Sequence, residues 1–261
     1  MQTPKAKKSL GQHFLHQRSL AQRIVQLLEV TPQDRVLEIG PGPGALSGLL
    51  RAANPARLLL VEKDRHWALA RQKAGDGHVV LMDAMHFAWN RITPDYPWKI
   101  IGNLPYNVAS PLLWDIVSQA DGLQRAVCMV QKEVALRIVA SPGTKAYGAL
   151  SVWLQSFMRP QLVFTVGPGA FTPPPKVDSA VVLFMPLPAA QRAQQPKALA
   201  ALLKICFQNR RKQLRGIFRM HNKEYALPIL RGLGIHPQSR PEHLTPELFQ
   251  QLAAGCIDAN G

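Results

Sequence analysis

The chain has 261 residues, 47% of them hydrophobic, which is enough for one large domain with an appendage or for two domains. Its 31 Lys and Arg residues outnumber its 16 Asp and Glu residues, so the formal net charge is +15. Such a surplus attracts polyanions, with nucleic acid as the leading candidate and an anionic membrane surface as the second. The composition argues against a disordered chain, and no run of about 18 apolar residues predicts a transmembrane helix.

The N-terminal stretch MQTPKAKKSLGQHFL is basic but lacks the apolar centre of a secretory signal peptide. The cysteines Cys128, Cys206 and Cys256 are scattered and do not have the spacing of metal ligands. We therefore expect reduced thiols, no metal and a cytoplasmic protein. No pattern indicates oligomerisation or membrane attachment, so a monomer is expected.

Short aliphatic runs alternate with helical patterns over the first two thirds of the chain. The predicted strands are 35–40, 56–62, 78–83, 98–103, 126–131, 162–167 and 178–186. The predicted helices are 45–53, 66–73 and 109–120. This alternation predicts an α/β fold with right-handed crossovers and a mostly parallel sheet, covered by helices on both faces.

The composition changes near Pro186, where PLPAAQRAQQPKA is rich in Pro and Gln and is typical of a linker. The following stretch, 195–261, has the pattern of short helices separated by Pro and Gly. We predict a first domain over residues 1–187 and a small helical domain over residues 188–261.

The first predicted strand runs directly into the glycine-rich turn EIGPGPG (38–44). Glycines such as Gly40 and Gly42 allow a tight turn and a close approach of a ligand to the backbone. Alone, the turn could be a simple strand-to-helix connection. Glu38 would repel a pyrophosphate, but it suits a ligand that carries an ammonium or sulfonium group.

Two further carboxylates stand at the ends of the next predicted strands. Glu62 can accept hydrogen bonds from ribose hydroxyls, and Asp83 can bind an exocyclic adenine amine. Taken singly, each acid would be interpreted as a solvated strand end. Because adenosine, ribose and a positive centre are the parts of S-adenosylmethionine, the ordered set predicts this cofactor.

The fourth predicted strand ends in Asn103-Leu104-Pro105-Tyr106. An exocyclic adenine nitrogen is a poor nucleophile because its lone pair is delocalised into the ring. The Asn103 side-chain oxygen and a backbone carbonyl, of Leu104 or Pro105, could hold its two N–H groups and direct its lone pair at a methyl group. Tyr106 offers a face on which a flipped-out base can stack. The alternative interpretation is a capping Asn and a packed Tyr at a turn.

As a set, these motifs resemble the ribosomal RNA adenine N6,N6-dimethyltransferase family, in its small-subunit type. The stretches that carry the resemblance are GQHFL (11–15), EIGPGPGALS (38–47), GNLPYN (102–107), QKEVALRIVA (131–140), KAYGALSV (145–152) and AFTPPPKVDSAVV (170–182), with Glu62 and Asp83. The resemblance implies the class I S-adenosylmethionine-dependent methyltransferase fold, a Rossmann-like seven-stranded sheet with a small all-helical C-terminal domain. It also implies dimethylation of two adjacent adenosines near the 3′ end of 16S rRNA in the 30S particle, with a role in small-subunit biogenesis.

The resemblance also implies individual roles. The positions that would bind the cofactor are His13, Leu15, Glu38, Gly40, Gly42, Glu62, Asp83, Ala84 and Asn103. His13 stands where the family usually has Asn, and its imidazole can still hydrogen-bond near the methionine part of the cofactor. Phe171 matches an aromatic residue that would sandwich the target base against Tyr106; the alternative for Phe171 is core packing.

The segment LLKICFQNRRKQLRGIFRMHNK (202–223) carries seven Lys or Arg residues and no acid. A helical period places its large apolar side chains on one face and leaves Arg210 on that apolar side. The cations that gather in an adjacent sector are Lys204, Arg211, Lys212, Arg215, Arg219 and Lys223. Because solvated faces usually mix charges, we predict an RNA-phosphate-contacting helix, to which Lys5, Lys7 and Lys8 could add.

Three other functions share some of these features. Large-subunit adenine methyltransferases that confer macrolide resistance have the NLPY-type turn, but FTPPPKVDS and AYGALSV favour the small-subunit type. DNA adenine methyltransferases usually have an acid or Asn followed by Pro-Pro-Tyr. A non-catalytic ribosome-assembly or transcription factor could keep the fold without turnover, but the expected site residues are present apart from the variation at His13.

Overall fold

The computed structural model describes residues 11–258, with side chains described as far as residue 256. Its strands are β1 Phe14–Leu15, β2 Arg35–Ile39, β3 Arg57–Glu62, β4 His78–Leu81, β5 Trp98–Asn103, β6 Leu123–Gln131, β7 Met158–Val166, β8 Phe171–Thr172 and β9 Ser179–Pro186. Its helices are α1 Arg18–Gln26, α2 Ser47–Ala52, α3 Arg65–Ala74, α4 Ala109–Gln119, α5 Lys132–Ile138, α6 Ala149–Gln155, α7 Pro196–Gln208, α8 Leu214–Met220, α9 Ala226–Gly232 and α10 Pro246–Asp258.

The main sheet has seven strands in the order β4-β3-β2-β5-β6-β9-β7, and β1 pairs with β8 in a small antiparallel ladder. Neighbouring strands from β4 to β6 are parallel, whereas β9 runs antiparallel to β6. This is the predicted class I methyltransferase sheet. The strand order reverses at β2, which lies between β3 and β5, and ligands bind at such a point in open α/β sheets.

The central strands are aliphatic because both of their faces are covered. In β2, the four residues from Val36 to Ile39 are all buried, so the strand does not alternate between apolar and polar side chains. The helix α3 begins after Asp64, whose carboxylate accepts a hydrogen bond from the backbone N–H of His66, and it ends at Gly75 in the left-handed conformation. The aliphatic sequence of β2 therefore agrees with its burial, and the residues at both ends of α3 are ones that favour helix ends.

All seven predicted strands of the main sheet are confirmed, with shifts at their ends. The predicted strand 78–83 ends at Leu81, so Met82 and Asp83 lie in the loop that follows β4. The predicted helix 45–53 is shorter and begins at Ser47. These differences place the acidic residue Asp83 beyond the ladder, with its side chain positioned to cap the next turn.

The chain forms two compact units. Among the described residues, one unit contains 11–135 together with Pro160–Pro186, and the other contains Leu136–Arg159 together with 187–258. The predicted domains, 1–187 and 188–261, differ from these units in the assignment of 136–159. In the second unit α6 packs against α7 and α10, which explains why this segment groups with the C-terminal helices.

The prediction of one continuous helix through 202–223 is wrong. The helix α7 ends at Gln208 and α8 starts at Leu214, with a turn between them. The Asn209 side chain donates to the carbonyl oxygen of Ile205 at 3.2 Å, and the first N–H groups of α8 donate to carbonyls of the 237–239 loop. These hydrogen bonds end one helix and begin another, although the apolar period continues across the turn.

Candidate active site

A cleft opens at the carboxyl ends of the parallel strands, around the reversal point at β2. Its walls are formed by the stretch that leads into β1, by the glycine turn after β2 and by the residues that follow β3, β4 and β5. The predicted site residues that line it are His13, Gly40, Gly42, Glu62, Asp83, Ala84, Asn103, Leu104, Pro105 and Tyr106. The cleft therefore brings together residues from five separate segments of the sequence.

The glycine turn adopts backbone angles that favour glycine. Gly40 has a φ of +65° and Gly42 a φ of +49°. A Cβ atom on Gly42 would lie 3.0 Å from the ring of Phe14, which itself packs edge-on against Trp67 at a centroid distance of 5.2 Å. Glycine at position 42 thus lets the Phe14 ring close over the turn.

The Glu62 carboxylate is fixed by two backbone donors. Its Oε2 accepts from the N–H of Gly42 at 3.0 Å, and its Oε1 accepts from the N–H of Asp64 at 2.8 Å. Burial raises the pKa of Glu62, although these hydrogen bonds act in the opposite direction. Each oxygen keeps a second lone pair, so a vicinal diol in the cleft could donate to both.

Asp83 is held by a cation and by a backbone donor. Its Oδ2 lies 2.7 Å from Nζ of Lys63, and its Oδ1 accepts from the N–H of Met85 at 3.0 Å. The hydrogen bond from Lys63 holds the pKa of Asp83 below its usual range. The group is therefore ionised at neutral pH and can accept a hydrogen bond from an amine.

The Asn103 amide is oriented by the chain that crosses above it. Its Nδ2 donates to the backbone carbonyl of His13 at 2.8 Å. Because that carbonyl can only accept, the NH2 group must face His13 and Oδ1 must face away. No donor within residues 11–258 contacts Oδ1, so this oxygen remains available as an acceptor.

The two candidate carbonyls after Asn103 differ in their existing partners. The carbonyl of Pro105 already accepts from the N–H of Val108 at 3.1 Å. Leu104 donates its N–H to Met129 at 3.0 Å, while its own carbonyl has no donor in the described part of the chain. Of the two alternatives that the sequence left open, the geometry favours Leu104 as the second acceptor.

The half-buried ring of Tyr106 is held at two points. Its hydroxyl lies 2.6 Å from Oγ of the buried Ser179, and its ring stacks with the imidazole of His13 at a centroid distance of 5.4 Å and an interplanar angle of 24°. Nδ1 of His13 lies 2.8 Å from the carbonyl oxygen of Pro173. The aromatic wall of the cleft is thus built from Tyr106 and His13.

Glu38 does not face the cleft, contrary to expectation. Its side chain is 1% exposed and accepts a hydrogen bond from Oγ of Ser47, the first residue of α2, at 2.7 Å. Burial raises the pKa of Glu38 to about 8, so the group is mostly uncharged at neutral pH. Strand geometry turns it toward α2, and its observed contact ties β2 to this helix.

Leu15 and Phe171 also lie outside the cleft. They are partners in the β1–β8 ladder and belong to one hydrophobic core cluster with Ile24 and Leu28. Phe171 is only 2% exposed, so the expected sandwich of a base between Phe171 and Tyr106 is not formed. The physical reason is the pairing with β1, which turns both side chains into the core, in agreement with the alternative interpretation of Phe171.

The comparison with known proteins decides the family. The sequence profile of the ribosomal RNA adenine dimethylases matches residues 3–256. The chain is 57% identical over 254 residues to a ribosomal RNA small subunit methyltransferase A of Nitratidesulfovibrio vulgaris, covering 95% of this chain and 96% of that protein. The chain belongs to the ribosomal RNA adenine dimethylase family. It is therefore an S-adenosylmethionine-dependent ribosomal RNA adenine dimethyltransferase.

More distant proteins share the family or the fold of this dimethylase. A protein named ribosomal RNA small subunit methyltransferase A from Coxiella burnetii is 37% identical over 255 residues, covering 95% of this chain and 96% of that protein. The crystal structure of a dimethyladenosine transferase from Plasmodium falciparum superposes with a TM-score of 0.82 at 26% identity, covering 95% and 98% of the two chains. That of the 23S rRNA methyltransferase ErmE has a TM-score of 0.68 at 23% identity, covering 94% and 99%, and it shares the fold.

The cleft of this dimethylase fits its cofactor, S-adenosylmethionine. Glu62 is the last residue of β3 and Asp83 follows the adjacent parallel strand β4, so a ribose and an adenine amine could be held side by side. A Cβ atom on Gly40 would meet only the backbone oxygen of Asn103, at 3.9 Å, so the backbone is open to a ligand at this glycine.

Several lining residues of the dimethylase are not predicted from the sequence. Phe14 closes over Gly42, Gln12 donates from Nε2 to Oδ2 of Asp64 at 3.1 Å, and Met82 leads into Asp83. Gln12 and Phe14 belong to the GQHFL stretch, so the motif itself carries the signal. From this motif the sequence predicts roles for His13 and Leu15 alone. The structure shows that the neighbouring Gln12 and Phe14 also line the cleft.

The Lys and Arg residues of the basic segment 202–223 divide into paired and unpaired groups. Arg210 lies 2.6 Å from Glu242, and Arg219 lies 3.1 Å from Glu224. Nζ of Lys223 contacts the hydroxyl of Tyr225 at 3.1 Å. Within 202–223, the exposed cations that have no ion-pair partner among residues 11–258 are Lys204, Arg211, Lys212 and Arg215. The predicted contributors Lys5, Lys7 and Lys8 lie outside the described residues.

Other binding features are absent from the described part of the dimethylase. Its His, Cys, Asp and Glu side chains form no cluster that could hold a metal ion. Among residues 11–258, the helices are too short or too polar to span a bilayer. The three cysteines are free thiols, and Cys128 and Cys206 are buried.

Proposed function

We propose that the protein dimethylates N6 of two adjacent adenosines in the hairpin near the 3′ end of 16S rRNA, within the 30S particle, and so contributes to small-subunit biogenesis. The identity of 57% to a ribosomal RNA small subunit methyltransferase A, over almost the whole of both chains, carries this proposal. Relatives of the same name remain 51% and 47% identical in other bacteria. A monomeric, cytoplasmic enzyme is part of the proposal.

On the cofactor side, bound S-adenosylmethionine supplies an electrophilic methyl group. Glu62 would accept hydrogen bonds from the ribose hydroxyls, since both of its oxygens are fixed by backbone N–H groups. Asp83 would accept from the adenine amine of the cofactor. Gly40 and Gly42 would let the backbone approach the ligand, and His13 would contact its methionine end.

On the RNA side, Oδ1 of Asn103 and the carbonyl of Leu104 would accept the two N6–H groups of the target adenosine. As the nitrogen gains positive charge, these acceptors stabilise it more strongly than they stabilise the neutral amine. The proton released from N6 passes to solvent. Pro105 keeps the turn rigid, and the ring of Tyr106 would stack against the flipped base.

The unpaired basic cluster, defined as Lys204, Arg211, Lys212 and Arg215, would contact RNA phosphates. Arg219 and Lys223 would contribute less because each already has a partner within the second unit. Phosphate contacts of this kind position the RNA and carry no sequence information. In this proposal the first domain performs the chemistry and the second contributes to RNA binding.

The test uses purified protein, labelled cofactor and ribosomal particles from a strain that lacks the modification. We expect methyl groups on two adjacent adenosines of 30S particles and none on 50S particles. The second candidate, a large-subunit methyltransferase, would instead label 23S rRNA. Cofactor binding without methylation of either particle would favour a non-catalytic assembly factor.

A further inference from the structure

The imidazole of His13 covers one face of the Tyr106 ring. The two rings are nearly parallel, with an interplanar angle of 24° and a centroid distance of 5.4 Å, which is an offset stack. Both rings line the same cleft, whereas Phe171 is buried in the core. The aromatic partner that Tyr106 has in this protein is therefore His13.

The imidazole is itself fixed in place. Nδ1 of His13 lies 2.8 Å from the carbonyl oxygen of Pro173, and because a carbonyl can only accept, Nδ1 must donate. The backbone carbonyl of His13 accepts from Nδ2 of Asn103. His13 thus contacts Tyr106 through its ring and Asn103 through its backbone carbonyl.

The Tyr106 ring has no freedom to accept a base on its covered face. The contact of its hydroxyl with Ser179 holds the outer end of the ring, and the 5.4 Å spacing leaves no room for a base between the two rings. A base that enters the cleft must either expel the imidazole or stack on the other face of Tyr106. The hydrogen bond to Pro173 favours the second arrangement.

We propose that His13 is a positioning residue for the target adenine: its imidazole backs the ring of Tyr106, so that the base stacks on the opposite face as the outer layer of a three-ring stack. This inference rests on the proposed function, because it takes the substrate to be an adenine in the cleft. It assigns the supporting aromatic position to His13 instead of to Phe171.

The proposal predicts that the His13 ring acts through Tyr106. We would compare His13→Ala, which removes the ring, with His13→Phe, which keeps a ring but cannot donate to Pro173. Both changes are made in the wild-type chain and in a Tyr106→Ala chain, at saturating cofactor. The first readout is single-turnover methylation of unmethylated 30S particles. The second is the fluorescence of 2-aminopurine placed at the target position of reconstituted particles, which is quenched by stacking.

In the wild-type background, His13→Ala should slow methylation by roughly three- to tenfold, the range expected for removal of one aromatic pair, and should weaken the quenching of 2-aminopurine. His13→Phe should restore most of the rate and the quenching. In the Tyr106→Ala background, His13→Ala should cause no further loss. Calorimetric titration with the cofactor, carried out on every variant, separates these effects from cofactor binding.

Three results would overturn the proposal. The first is an equal loss from His13→Ala in both backgrounds, since the imidazole would then act independently of Tyr106. The second is normal quenching in His13→Ala together with abolished quenching in Tyr106→Ala. The third is faster methylation in His13→Ala, which would identify the imidazole as an obstacle in the base site. Failure of the wild-type protein to methylate 30S particles would instead refute the proposed function.

Discussion

At the scale of single residues, hydrogen bonds within the protein determine which acceptor atoms of the NLPY turn remain available to the substrate. The carbonyl of His13 engages the NH2 group of Asn103, and the N–H of Val108 engages the carbonyl of Pro105. What remains is a pair of acceptors, Oδ1 of Asn103 and the carbonyl of Leu104. A pair of acceptors without a base suits an amine nucleophile that needs orientation more than deprotonation.

Replacement of Asn103 by Ala tests the acceptor role. The rate of the methyl-transfer step should fall by about 10²-fold or more, as expected when one group that stabilises developing charge is removed. Binding of 30S particles should persist, since it is distributed over many phosphate contacts. Single-turnover methylation measures the effect, and Asn90→Ala, the same change at an exposed position away from the cleft, serves as control. Near-normal turnover by Asn103→Ala would contradict the assignment.

Replacement of Glu62 by Gln tests the ribose contact. The amide would direct an N–H group at one of the two backbone donors, Gly42 or Asp64, and would lose the charge that strengthens the remaining hydrogen bonds. We expect cofactor affinity to fall by about 1–3 kcal/mol in calorimetric titrations. RNA affinity should hardly change. A variant that binds cofactor normally but loses RNA would show that Glu62 serves the RNA side.

At the scale of elements, the sequence predicted the sheet better than it predicted the orientation of individual side chains. Buried parallel strands are aliphatic on both faces, so β2 carries no alternation from which the direction of Glu38 could be read. The side-chain directions of Leu15 and Phe171 likewise depend on the short β1–β8 ladder, which has no sequence pattern of its own. The break between α7 and α8 depends on carbonyls of a distant loop, and local periodicity cannot reveal it.

The link between β2 and α2 gives a prediction about pH. The pKa of Glu38 is about 8 in the folded protein against an ordinary value of 4.5. Between these two pH values the native state holds a proton that the unfolded state has released. The free energy of unfolding should therefore fall as pH rises through this window, by up to about 1.4 kcal/mol per pH unit.

Glu38→Gln removes this titration and keeps an acceptor for Ser47. Denaturant unfolding at a series of pH values should give a flatter dependence between about 4.5 and about 8 for this variant than for the wild type. The matched control is Glu247→Gln, the same change at an exposed position of the second unit. Parallel curves for Glu38→Gln and wild type would mean that Glu38 ionises normally in the fold.

At the scale of the whole molecule, the net charge of +15 is large, but local acids neutralise part of the basic segment. Glu242 and Glu224 engage Arg210 and Arg219, and the unpaired basic cluster remains exposed. A net charge alone would produce general attraction to any polyanion. A defined set of unpaired cations instead predicts that RNA affinity depends on particular positions.

The double variant Arg211→Ala/Arg215→Ala separates these two possibilities. If both guanidinium groups bind phosphates, the slope of log affinity against log salt concentration should become shallower by up to about 0.9 for each phosphate that is no longer neutralised, and cofactor binding should be unchanged. Arg57→Ala/Lys73→Ala removes the same charge from exposed positions on the first unit and is the matched control. Binding of 30S particles is measured for both variants over a range of salt concentrations. Equal slopes for the two would mean that the basic cluster acts only through net charge; a shallower slope for Arg211→Ala/Arg215→Ala alone would establish it as a phosphate-contacting surface.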